Sequence, residues 1–198
     1  ADPSEIIAMI SQPEELEGLL KEAKIRPIDV RDQRGDEGTA THAFLERLIN
    51  VALAGDPGDA DPIAEVAVQK GPSLEAGVGA WWLESKPIPI AGELFVRSLK
   101  HGFAGTVDLV QLHPSASFSL VTDLKTRGVG KGVYDSDYVQ VDAYAIAYEE
   151  MRGHRVSDTS VLIVREDGSY EESISPLPRG TFLDVLSLDR KLQAIERR

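Results

Sequence analysis

The hydrophobic pattern divides the chain into a helical first part and a strand-rich middle. Near the start, Ser11-Gln12-Pro13-Glu14-Glu15-Leu16 supplies a capping residue, an early proline and first-turn acids, with Leu19, Leu20 and a Lys-rich end behind it. Gly38-Thr39-Ala40-Thr41 opens a second helix, in which His42, Leu45, Glu46 and Ile49 recur at helical spacing. Gly55-Asp56-Pro57-Gly58-Asp59-Ala60-Asp61-Pro62 is the clearest loop. The stretch from Gly71 to Trp82 begins with Gly and Pro and ends in Ala80-Trp81-Trp82-Leu83, a helical pattern. Leu94 to Leu99, Ala104 to Leu112 and Phe118 to Thr126 then read as three strands. The short turns between them, Lys100-His101-Gly102 and His113-Pro114-Ser115-Ala116, predict an antiparallel meander.

A Gly-rich basic loop, Arg127-Gly128-Val129-Gly130-Lys131-Gly132, follows. Ser136 or Asp137 caps a long helix that runs to Met151 and stops at Gly153. Thr159 to Arg165 is a strongly apolar strand, Asp167-Gly168 a hairpin turn, and Tyr170 to Ile174 the partner strand. Leu183 to Ile195 closes the chain as a helix. This order predicts an α/β (α+β) fold: a mixed central sheet flanked by helices, with an N-terminal helical elaboration. One domain is expected, with residues 1–90 mainly helical, 91–175 carrying the sheet and its long helix, and 176–198 the last helix. A chain of 198 residues buries roughly 70% of its unfolded surface, so it needs no covalent or metal staple to fold.

Composition narrows the chemistry. The chain has no cysteine, which removes disulfides, Cys-ligated zinc, iron–sulfur clusters and thiol nucleophiles together. Twenty-one Lys and Arg against 33 Asp and Glu give a formal charge of −12, which argues against a broad polycationic surface but leaves room for a local basic track. No apolar stretch approaches ~18 residues, and Ala1-Asp2-Pro3-Ser4-Glu5 lacks the pattern of a secretory signal, so a soluble, cytoplasmic protein with no membrane partner is expected. No stretch reads as an oligomer interface. The histidines show no zinc spacing, and no serine–histidine–aspartate arrangement is visible. Gly128-Val129-Gly130-Lys131-Gly132 lacks the spacing of a nucleotide-binding loop, which excludes an ATPase of that type.

The informative residues are Asp108, Asp123 and Lys125. Asp123-Leu124-Lys125 lies inside an apolar strand, whose period of two puts Asp123 and Lys125 on one face and Leu124 on the other. Asp108 is mid-strand in Gly105-Thr106-Val107-Asp108-Leu109-Val110, the neighbour in the meander. Three charged groups on one sheet are expensive unless they pair or bind a metal. Two carboxylates with carbonyls and waters suit Mg²⁺ or Mn²⁺. Taken alone, Asp-x-Lys is more readily a structural ion pair.

The wider context resembles the RecB-type branch of the PD-(D/E)xK nucleases. Gly38-Thr39-Ala40-Thr41-His42 matches that family's Gly-x-x-x-His, Glu93 precedes the first strand as its Glu does, and Gly105-Thr106-Val107-Asp108 matches Gly-x-x-Asp. Val121-Thr122-Asp123-Leu124-Lys125-Thr126 matches the Asp-x-Lys-Thr core, and Gln140 and Tyr144 fall on its Gln-x-x-x-Tyr helix. The likeness runs from about Gly38 to about Glu172 and is similar in flavour to small stand-alone phage and bacterial exonucleases. No single motif is specific, but five in order are. The resemblance implies a restriction-endonuclease-like core, a Mg²⁺- or Mn²⁺-dependent phosphodiesterase, and a DNA substrate in recombination, repair or phage DNA processing. The four cysteines of the iron–sulfur relatives are absent.

By that resemblance His42, Asp108, Asp123 and the main-chain carbonyl of Leu124 ligate metal, and Lys125 positions the attacking water. Glu93 either serves a second metal or caps a strand. Gln140 and Tyr144, one helical turn apart, support the centre or continue an ordinary apolar face. Arg127 and Lys131 neutralise phosphates or form a solvated turn. Trp81 and Trp82 stack on bases or pack in the helical part. Two other functions share these motifs. One is a catalytically silent DNA-binding or assembly module, against which no member of the Asp108/Asp123/Lys125 set is missing. The other is a structure- or sequence-specific endonuclease, for whose recognition element the chain has little room.

Overall fold

The structure is a computed structural model that describes residues 36–112 and 119–196. The helix expected over Ser11–Leu20 and the turn at His113–Ala116 lie outside the described residues. The elements, in order, are α1 (Asp36–Ala54), a 3₁₀ turn (Pro57–Ala60), α2 (Asp61–Gln69), α3 (Leu74–Ser85), β1 (Pro89–Ser98), β2 (Phe103–Leu112), β3 (Ser119–Arg127), α4 (Asp135–Arg152), β4 (Val156–Arg165), β5 (Tyr170–Ile174) and α5 (Thr181–Glu196).

The strands form one sheet in the order β1-β2-β3-β4-β5. The first three are an antiparallel meander. β3 and β4 run parallel, joined by α4, and β5 returns antiparallel on β4 through the Asp167-Gly168 turn. A parallel pair needs such a crossover. β4 accordingly reads as a continuous apolar run, and Val161, Leu162, Ile163 and Val164 are all fully buried. This is an α+β architecture with a five-stranded mixed sheet between helices.

Each face of the sheet carries its own core. Leu109, Leu124, Leu162 and Val164 pack with Leu45, Leu48 and Ile49 of α1 and with Val78, Trp81 and Trp82 of α3. Val107, Val110, Val121, Val161 and Ile163 pack with Tyr138, Val141, Tyr144 and Tyr148 of α4 and with Phe182 and Leu186 of α5. Asp142 of α4 ties these last two helices together. Its buried carboxylate accepts the Gly180 and Phe182 amides at 3.1 and 3.0 Å, satisfying orphan N–H groups at the start of α5.

Three local expectations are corrected, and one open alternative is decided. The loop at Gly55–Pro62 holds a 3₁₀ turn and the start of α2, a helix the apolar spacing alone did not declare. Prolines near the start of each element fix its backbone without costing a helical hydrogen bond. The long helix α4 begins one residue before Ser136, with Tyr134 as its cap. Asp137 acts from the third position instead, accepting the Tyr134 N–H at 2.9 Å. Trp81 and Trp82 are each 1% exposed, and the Trp81 indole donates to Glu172 at 2.7 Å, so neither offers a face to a base. Glu93 lies inside β1 rather than before it, at φ +44°.

Candidate functional site

The strand pattern breaks at Glu93 and Asp108. Gly92 faces α1, where an added Cβ would come within 2.8 Å of Ile49. Leu94 and Val96 pack on the opposite, α4 side. A regular strand would keep residues 92 and 94 on one face. Glu93, in the left-handed region, turns the chain over. β2 changes face at the matching place, since Val107 belongs to the α4-side core and Leu109 to the α1-side core. The paired neighbours Gly92↔Leu109 and Leu94↔Val107 set Glu93 across from Asp108.

The β2–β3 ladder ends at the same point. Pairing runs from Leu112↔Ser119 to Leu109↔Thr122. One step beyond, Asp108 would stand opposite Asp123. There the Asp108 side chain takes over from the main chain, and its Oδ2 accepts the Leu124 N–H at 2.7 Å. The two strands thus part around an acidic side chain.

His42 enters this gap from α1, and Gly38 packs beside Thr126. Its Nδ1 lies 2.7 Å from the Gly38 carbonyl oxygen. Its Nε2 lies 3.1 Å from the Leu124 carbonyl oxygen and 3.4 Å from Asp108 Oδ2. Both ring nitrogens therefore face acceptors, and a neutral imidazole can donate from only one of them. With Nδ1–H given to Gly38, Nε2 turns a lone pair toward a carbonyl and a carboxylate. A proton or a cation among the three relieves that arrangement. A ring nitrogen held by a carbonyl on its far side is the usual posture of a metal-ligating histidine.

Asp123 and Lys125 lie on the α4 side of β3, with Leu124 in the opposite core, as the period of two predicts. Asp123 is 3% exposed. Its Oδ2 is 2.9 Å from Lys125 Nζ, an ion pair in which both side chains are largely buried. Burial pushes the Asp123 carboxyl up to about 7; the Lys125 charge opposes this and the Asp108 charge adds to it. Burial would also raise Asp108, but the hydrogen bond and charge of His42, with the Lys125 charge, outweigh it and hold Asp108 below its ordinary value. The two adjoining carboxyls are thus pushed in opposite directions by burial and by the charges beside them.

The donors present fit a hard divalent cation: one imidazole nitrogen, one carboxylate and one main-chain carbonyl, with a second carboxylate adjoining. Among the described residues, no three His, Asp or Glu side chains are grouped closely enough to hold an ion by themselves. The Leu124 carbonyl lies 3.1 Å from His42 Nε2, and Asp123 faces Lys125 rather than His42.

The supporting residues divide. Gln140 donates to the Tyr144 hydroxyl at 2.6 Å, and the Tyr144 ring lies over Gly105, where an added Cβ would come within 2.4 Å of Cε1. The Gly-x-x-Asp and Gln-x-x-x-Tyr motifs are therefore one packing unit. Arg127 is committed to Asp137 through two 2.8 Å bonds. Lys131 is exposed, while its carbonyl accepts two bonds from Arg165 at 3.0 and 2.7 Å, so the Gly-rich loop is pinned at its base. Sequence reasoning missed both clamps, because Asp137 and Arg165 are ordinary helix-start and strand-end residues until the fold brings them to the loop.

Among the described residues, no helix is long and apolar enough to cross a membrane. No protein-family model matches the chain. No curated protein matches it either. Among solved structures it is similar to the protein described as "Crystal structure of SSO0001", at a TM-score of 0.40 and 14% identity over 90% of this chain and 84% of that one, a likeness too distant to carry an argument about family or activity.

Proposed function

We propose that this protein is a metal-dependent deoxyribonuclease of the PD-(D/E)xK type that hydrolyses phosphodiester bonds from DNA ends. One observation carries the reading. Residues from three separate motifs, His42, Asp108 and the Asp123-Leu124-Lys125 strand, come together where β2 and β3 part. His42 Nε2, Asp108 and the Leu124 carbonyl would hold Mg²⁺ or Mn²⁺, with Asp123 adjoining; the nitrogen donor favours Mn²⁺. Glu93, on β1 across from Asp108, is the residue we assign to a second ion or its bound water.

A divalent ion there would polarise a phosphodiester oxygen and lower the pKa of water. The residues of the chain do the rest. Lys125 orients the attacking water and offsets charge on the phosphate in the transition state. Asp123 holds the Lys125 ammonium at 2.9 Å, which fixes where that charge is presented. Asp108, bonded to the Leu124 amide, keeps the Leu124 carbonyl turned toward His42. With a net charge of −12, the molecule repels DNA at long range, so binding is modest and steeply salt-dependent.

The test is a digest of linear DNA labelled at the 5′ or 3′ end, beside closed circular DNA, with Mg²⁺, Mn²⁺ or EDTA. Metal-dependent laddering from an end, with circles intact, is the expected result. Discrete internal cuts make it an endonuclease. Binding without cleavage in either metal makes it a silent DNA-binding module.

A further inference from the structure

A second surface lies on the same face of β3 as the candidate centre. Arg127 follows Lys125 by two residues, so it shares the face of Asp123 and Lys125, roughly 7 Å further along the strand. Asp137 holds its guanidinium with two 2.8 Å bonds, and the guanidinium carbon stands 4.8 Å from the centre of the Tyr134 ring. Asp137 also accepts the Tyr134 N–H at 2.9 Å. Ring, cation and carboxylate thus form a closed unit that fixes the ring at the start of α4. Tyr134 nevertheless stays 45% exposed. The pinned loop before it presents Val129, 63% exposed, and the exposed Lys131.

The ring is thus held in place by Arg127 while nearly half of the residue stays open to solvent. A guanidinium on one face of a ring orders it and leaves the rest for another flat group. Unpaired nucleobases are flat and stack on aromatic side chains whatever their identity. A paired base has no face to give, so a duplex interior does not fit. The charges nearby also sort a nucleotide. Asp135, exposed at the first position of α4, repels a phosphate placed over the helix end, and the charge of Arg127 is spent on Asp137. Lys131, exposed three residues before Tyr134, offers a cation for the phosphate.

We propose that Tyr134, backed by Arg127, is a stacking platform for an unpaired nucleobase, with Lys131 on its phosphate. The inference rests on the nuclease reading and narrows it. The strand that reaches Lys125 is single-stranded, or a frayed duplex end, and its base beside the scissile bond sits on Tyr134.

The test is binding in EDTA at low salt, so that nothing is cleaved. The probes are a fluorescent oligothymidylate and an abasic deoxyribose-phosphate oligomer of equal length. Tyr134→Ala and Tyr134→Leu should weaken oligothymidylate binding about 5- to 150-fold, the range of one lost base stack. Tyr134→Trp should retain it, and the abasic oligomer should not discriminate among the four proteins. A 2-aminopurine carried along the oligomer should be quenched at one position by the wild type and not by Tyr134→Leu. Equal binding of oligothymidylate by all four proteins overturns the platform, as does failure of the wild type to bind either probe. Metal-dependent cleavage together with equal binding leaves the nuclease standing and removes the platform. The stated binding pattern with no cleavage in any metal does the reverse.

Discussion

Lys125 owes its place to one property of extended chain: alternate side chains share a face. That puts its ammonium 2.9 Å from Asp123, the one carboxylate buried on its own strand. Lys125→Ala should abolish cleavage, lowering the rate at least about 100-fold, as loss of a charge that meets the transition state does. Its circular dichroism and Mn²⁺ affinity should stay near wild type, because a protonated lysine ligates nothing. Retained turnover would remove Lys125 from the chemistry. His42→Ala is predicted to act on the other side, weakening Mn²⁺ binding about 10- to 100-fold in titration calorimetry, a loss on the scale of disturbing a metal's ligand shell. Unchanged affinity would show that His42 Nε2 carries only a proton. Asp123 and Lys125 were legible in the sequence because their relation is local. His42 was legible only through a motif, since nothing in α1 announces that its ring will meet a carbonyl on β3. The commitment of Arg127 to Asp137 was not legible, because a basic loop and an acidic helix start look alike whether or not they pair.

The elements were largely visible because their signals are strong. The first turn of the meander, the Asp167-Gly168 hairpin and the Gly153 stop each rest on a glycine whose conformation the structure reproduces, with Gly102, Gly168 and Gly153 all at positive φ. The parallel pairing of β3 with β4 follows from the helix between them. The change of face at Glu93 and Asp108 was hidden, because the positive φ falls on Glu93 itself and not on the neighbouring Gly92, where a glycine would have signalled it. That kink decides the site: it ends the β2–β3 ladder and frees Asp108 to reach Leu124. Gly105 is where α4 presses on this distorted strand. Gly105→Ala would drive a methyl into the Tyr144 ring, so it should cost about 1–3 kcal/mol, the usual scale of overpacking. A urea melt reads this as a lower midpoint with an unchanged slope. Gly102→Ala, whose Cβ would meet only the tip of Arg190 at 3.5 Å, is a poor control despite its space, because φ +70° strains any side chain there. An unaltered Gly105→Ala melt would mean that β2 and α4 are less tightly fitted than described.

Over the whole molecule, the buried site makes stability depend on pH. Asp123 keeps its proton in the folded chain up to about pH 7, whereas its ordinary value is 3.8. Between those values the unfolded chain has released a proton that the folded chain still holds. Stability of the metal-free protein therefore falls as pH rises through this window and levels off above it. On the proposed nuclease reading a divalent cation would reverse the balance, since it would bind ionised Asp108 and neutral His42, favour the ionised form of Asp123, and stabilise only the folded chain. Melting scans in EDTA should thus show a midpoint that declines from about pH 4 to about pH 7, and the rise on adding Mn²⁺ should be small at pH 5 and large at pH 8. Asp123→Asn carries no titrating group at this position, so its EDTA curve should be flatter over the same interval and lie above wild type at pH 8. Parallel curves for the two proteins would place the Asp123 carboxyl in contact with water. The cation would then no longer be what the buried pair of acids is built to receive.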